Sequence, residues 1–129
     1  MYNYIKGIVT EINAKNITVE CNNLGYQIYT PNPFSFNEGD ETIVYTYLHV
    51  REDVMDLYGF KTRNERDFFF KLISVKGIGP KGALAILAGG DTSEIIQAIE
   101  TGNIKYLQKF PGVGAKASQQ IVLDLHGKL

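Results

Sequence analysis

The sequence predicts an α+β fold, with a small antiparallel β-barrel over residues 1–62 and an all-helical region over residues 63–129. Three observations carry this reading. Short runs rich in β-branched and aromatic residues, broken by Asn, Gly, Pro and Asp, fill the first half. From Thr62 onward, apolar residues recur at helical spacing instead. Finally, Gly77-Ile78-Gly79-Pro80-Lys81 returns about 35 residues later as Gly112-Val113-Gly114-Ala115-Lys116, a period suited to a duplicated two-helix unit.

Strands are expected over residues 4–12, 16–21, 25–30 and 42–48, with a fifth run over 57–60 after a short acidic stretch. Asn22-Asn23-Leu24-Gly25 has the composition of a hairpin turn. Five such strands in about 60 residues fit a five-stranded OB-like β-barrel. In the second half, Thr62-Arg63-Asn64-Glu65 has the form of a capping box. It opens a helix whose apolar positions Phe68, Phe69, Leu72, Ile73 and Val75 run up to the first glycine pair. Pro80 suits the first turn of a second helix, continuing over 83–88 and stopped by Gly89-Gly90. Asp91-Thr92-Ser93-Glu94 repeats the capping pattern ahead of Ile95, Ile96, Ala98 and Ile99, and Gly102-Asn103 breaks that helix. A short helix over 104–110 and a longer one over 115–125, ended by Gly127, complete the chain.

Composition narrows the function classes. With 129 residues and 44% hydrophobic content the chain can bury a core. It has no run of 18 apolar residues and no signal-like N-terminus, so a cytoplasmic protein with no membrane partner is expected. Cys21 has no second cysteine to pair with and only His49 and His126 as companions, so neither a disulfide nor a zinc site is expected, nor any cofactor. Cys21 is expected to be a small buried strand residue. No GxxxxGK[ST] loop is present, so ATP hydrolysis would have to belong to a partner. The net charge of −1 conceals a split: residues 1–62 hold four Lys/Arg against eight Asp/Glu, and residues 63–129 hold nine against six. A polyanion should therefore meet the second half.

The glycine pairs point to such a polyanion. A helix start leaves backbone N–H groups unpaired and carries partial positive charge, so it attracts an anion that can come close enough. Glycines at both ends of a G-x-G turn remove the β-carbons that would hold a phosphate away. Ile78 and Val113 are expected to point inward and pin the two turns. Lys81 and Lys116 then add a mobile charge beside the same phosphate. This is the helix-hairpin-helix constellation, which holds nucleic acid by its backbone. A single G-x-G between helices is more often only a tight turn; repetition with Lys at the same offset shifts the balance to phosphate binding. An enzyme is a further alternative, since some DNA glycosylases place a catalytic Asp after such a hairpin, and Asp124 lies downstream of the second one. Helical spacing makes Asp124 more simply a solvated side chain.

Taken in order, Val50-Arg51-Glu52-Asp53-Val54-Met55-Asp56-Leu57-Tyr58-Gly59-Phe60, then Gly77-Ile78-Gly79-Pro80-Lys81 and Pro111-Gly112-Val113-Gly114, resemble the RuvA family of bacterial Holliday-junction binders over essentially the whole chain. The resemblance implies a non-catalytic homotetramer with fourfold symmetry, one or two tetramers holding an open four-way junction. It also implies delivery of that junction to the hexameric ATPase RuvB for branch migration in recombination and repair, and resolution by RuvC. Carried over, Gly77, Gly79 and Lys81 with Gly112, Gly114 and Lys116 would grip the DNA arms, and Glu52 and Asp53 would form an acidic pin. Two carboxylates at a turn tip, brought together fourfold, would repel phosphates at the crossover and oppose duplex lying across the centre. Without the resemblance, Glu52, Asp53 and Asp56 read as a solvated turn, and a metal-dependent nuclease site built from them lacks further ligands nearby. Two departures matter. Ala115 and Gln120 stand where many relatives carry basic residues, so weaker phosphate contact is expected at the second hairpin. The family also continues into a third helical domain that docks on RuvB, so junction binding without efficient motor stimulation is expected. A monomeric duplex- or single-strand-binding module remains the alternative.

Overall fold

A computed structural model describes residues 2–129. Five strands form the first part: β1 (Tyr4–Ile12), β2 (Asn16–Cys21), β3 (Leu24–Tyr29), β4 (Glu41–Arg51) and β5 (Val54–Phe60). They close into a barrel in the order β1-β2-β3-β5-β4. Neighbours are antiparallel except β3 and β5, which meet in parallel at Tyr29 and Tyr58. Alternation along the strands sends Ile5, Val9, Ile17, Val19, Ile28, Val44 and Leu57 into one apolar core. The barrel is full at β5, where a β-carbon on Gly59 would lie 2.3 Å from Val44 Cγ1 and 2.6 Å from Ile28 Cγ2.

Three details depart from the sequence reading. The β2–β3 turn is only Asn22-Asn23, both at positive φ (51° and 66°), so Leu24 and Gly25 belong to β3. A 3₁₀ turn over Pro33–Ser35, with Pro33 at its start, fills the β3–β4 connection. Cys21 sits half-buried at the end of β2, packed on the rim of the core rather than inside it.

The chain divides into two compact units at Arg66 and Asp67, and α1 (Arg63–Ile73) runs through the division. The second unit continues with α2 (Pro80–Gly89), α3 (Thr92–Glu100), α4 (Ile104–Leu107) and α5 (Ala115–Leu125). Leu72, Ile86, Ile95, Ile99, Leu107 and Ile121 are buried along these helices, as their helical spacing requires. Thr62 Oγ1 accepts the Glu65 backbone N–H at 3.1 Å, the bond expected of a cap. Asp91 behaves differently: its carboxylate accepts the Ser93 hydroxyl instead of capping the backbone of α3. Only one turn of the expected 104–110 helix forms, started by Asn103 Oδ1, which accepts the Tyr106 N–H at 3.1 Å. Among the described residues, no helix is long and apolar enough to cross a membrane.

Candidate nucleic-acid interface

The two glycine turns have the same local construction. In the first, between α1 and α2, Gly77 has φ +91° and Gly79 is extended at φ −95°, ψ 177°. Ile78 N–H returns to Val75 C=O at 3.1 Å, and Ala83 N–H reaches Gly79 C=O at 3.0 Å. In the second, ahead of α5, Gly112 has φ +79° and Gly114 is extended at φ −92°, ψ −169°. Val113 N–H returns to Phe110 C=O at 3.1 Å, and Ser118 N–H reaches Gly114 C=O at 3.0 Å. The repeat seen in the sequence is thus a repeat of hydrogen bonds. Val113 is buried as expected, whereas Ile78 is only half-buried.

Each turn delivers an uncapped helix start. Neither Gly79 nor Gly114 supplies a side chain to the first amides of its helix, so those N–H groups stay available along with the partial positive charge of the helix end. β-carbons built on Gly77, Gly79, Gly112 and Gly114 would meet nothing within 4 Å. The space in front of both elbows is therefore open. Lys81 and Lys116, one turn into α2 and α5, are exposed. Among the described residues, neither lysine has a carboxylate partner, so both charges stay available to an anion.

What the sequence did not reveal is that the two elbows share a groove. Lys76 and Gly77 of the first turn and Gly114, Ala115, Lys116, Ala117 and Gln120 of the second line one cleft of about 580 Å³. Asp124 lies at its flank and is not the freely solvated side chain expected. Half-buried, it accepts the Lys76 backbone N–H at 3.4 Å on Oδ2 and Gln120 Nε2 at 2.9 Å on Oδ1. An aspartate hydrogen-bonded to a main-chain amide of a distant turn leaves no sign in helical periodicity.

The acidic pair occupies a different element. β4 and β5 pair beyond the lengths read from the sequence, through His49–Asp56 and Val50–Met55 to Arg51–Val54, which leaves Glu52-Asp53 as the two-residue tip of a hairpin. Sequence reasoning ended these strands early because residues 49–56 mix charges with apolar residues. Both tip carboxylates are exposed, as are Val50 and Met55 at 51% and 73%. Nearer the barrel, Tyr58 is buried among Tyr29, Tyr47 and His49, with ring centroids 5.6–6.4 Å away. Burial, with Asp56 and the neighbouring tyrosines adding to it, pushes the Tyr58 hydroxyl from 10.0 up to about 12. No group of three or more His, Cys, Asp or Glu is arranged to hold a metal among the described residues.

Comparison with known proteins agrees with both halves. Residues 1–59 match the family described as RuvA N terminal domain, and residues 69–126 match the SAM-like Helix-hairpin-helix tandem. A protein of Acholeplasma laidlawii strain PG-8A, named Holliday junction branch migration complex subunit RuvA, is 59% identical over 129 residues, covering all of this chain and 69% of that protein. Proteins of the same name from Bacillus thuringiensis strain Al Hakam and Bacillus mycoides strain KBAB4 are 55% identical over 130 residues, covering all of this chain and 63% of theirs. With a relative 59% identical along the whole of this chain and 69% of its own length, the chain belongs to the RuvA family of Holliday junction branch migration complex subunits.

Proposed function

We propose that the chain binds four-way junction DNA by its sugar-phosphate backbone, independently of sequence, as the non-catalytic subunit of a cytoplasmic branch migration complex. The observation that carries this is the pair Gly79 and Gly114. Their φ values of −95° and −92° suit any residue, and nothing of the protein lies within 4 Å of a β-carbon at either site. Neither backbone strain nor internal packing calls for glycine there. Both are helix N-caps, where glycine is modestly preferred over alanine; an outside group approaching the main chain asks for it more strictly, and a phosphate drawn to a helix start beside Lys81 or Lys116 is such a group. In this reading Gly77, Gly79, Lys81, Gly112, Gly114 and Lys116 hold the DNA arms. Glu52 and Asp53 form a pin that repels phosphates at the crossover once four chains assemble around it. The ATPase RuvB supplies the motor and RuvC the resolvase.

The test is the double substitution of Gly79→Ala with Gly114→Ala. A β-carbon at each site fits the space but obstructs a phosphate, so junction affinity should fall on the order of tenfold or more, while stability falls only by the modest cost of alanine at an N-cap, about 0.5–1 kcal/mol per site. Unchanged affinity in the folded double variant would refute phosphate capture at the elbows.

A further inference from the structure

We infer that Asp124 is a positioning residue that fixes the first glycine elbow relative to the helix carrying the second. Of the main-chain amides from Ser74 to Ile78, three are satisfied locally: Ser74 N–H by Phe70 and Lys71, Val75 N–H by Leu72, and Ile78 N–H by Val75. Lys76 N–H alone among them reaches out of the hairpin, to Asp124 Oδ2 on α5. The carboxylate is itself held from its own helix, since Gln120 Nε2 donates to Oδ1 at 2.9 Å across one helical turn. The internal repeat makes the purpose clearer. The second-hairpin counterpart of Lys76 is Pro111, which has no N–H to satisfy, and the first-hairpin counterpart of Asp124 is Gly89. The tie therefore runs one way, once, between the two copies of the motif. Because Lys76 and Gly77 line the same groove as Gly114, Lys116 and Gln120, this tie governs the separation of the two phosphate-binding elbows.

Charge alone argues against keeping an aspartate here. A carboxylate at the flank of a groove that takes phosphates repels them, so electrostatics by itself expects any neutral replacement to bind DNA more tightly. Positioning gives the opposite sign for one replacement and not for another, which makes the inference testable while resting on the DNA-binding reading. Asp124→Asn keeps an oxygen acceptor for Lys76 N–H, and its new amide N–H can donate to Gln120 Oε1 once that side-chain amide turns over, so this variant should bind junction DNA at least as well as the parent chain. Asp124→Ala loses the acceptor and should bind on the order of tenfold more weakly. Gln120→Ala leaves the charge but frees the carboxylate, and should show a smaller loss of about threefold.

An independent readout needs no DNA. Amide exchange measured by NMR on the free chain should show the Lys76 N–H protected in the parent and in Asp124→Asn, and exchanging faster in Asp124→Ala. A parent chain that fails to bind DNA would sink the DNA-binding reading without touching the tie. Junction binding by Asp124→Ala as tight as the parent's, or an unprotected Lys76 amide in the parent, would overturn the positioning role.

Discussion

Gly77 and Gly79 stand two residues apart and do different work, and the same holds for Gly112 and Gly114. Gly77 and Gly112 have φ of +91° and +79°, so alanine there should cost about 1–2 kcal/mol of stability whatever it does to DNA. Gly79 and Gly114 lie in extended backbone at helix N-caps, where the poorer capping of alanine, offset in part by a stiffer unfolded chain, should cost no more than about 0.5–1 kcal/mol. Thermal melting of the four single variants checks this separation. Lys81→Ala and Lys116→Ala should each weaken binding to all DNA forms alike and flatten the salt dependence by roughly one phosphate contact per site. At Tyr58, a folded-state value of about 12 against 10.0 for a free tyrosine means that the unfolded chain loses the proton first as pH rises. The stability tied to that proton is complete below pH 10 and declines as pH climbs towards 12. Urea midpoints at pH 9 and pH 11 should therefore fall less for Tyr58→Phe than for the parent chain.

At the scale of elements, the acidic hairpin and the barrel behind it obey different constraints. Gly59 faces Val44 and Ile28 with no room for a methyl group, so Gly59→Ala should overpack the barrel and cost about 1–3 kcal/mol, measurable by chemical denaturation. Glu52 and Asp53 are exposed and outside any packing. Glu52→Gln with Asp53→Asn should leave stability unchanged and raise affinity for linear duplex relative to junction. A junction preference unaffected by both changes would remove the pin from the account. The sequence made the helix starts and the barrel strands legible because capping residues, glycines and period-two alternation are local signals. It hid the outer half of the β4–β5 hairpin, because charged residues at 49–56 mask a pairing set by the partner strand. It also hid the shortness of α4, whose second turn gives way to the tight bend before Gly112. The groove shared by the two elbows, and the Asp124 tie across it, depend on contacts between residues far apart in the chain.

For the whole molecule, the uneven charge of the two halves sets what can be expected of binding. The excess of Lys and Arg lies in residues 63–129, with the elbows, and the excess of Asp and Glu lies in residues 1–62, with the tip. A single chain offers two elbows, whereas the fourfold assembly inferred from the family offers eight. That assembly should give a logarithmic salt slope on the order of −7 at about −0.9 per phosphate, against roughly −2 for a lone chain. Light scattering at micromolar concentration separates these cases directly, and a monomer would leave the acidic tip with no centre to occupy. The most direct test of the central claim is a band-shift titration of a four-way junction and a linear duplex of equal length, at one salt concentration. Backbone capture combined with an acidic pin requires markedly tighter binding to the junction; equal affinity for the two would contradict it.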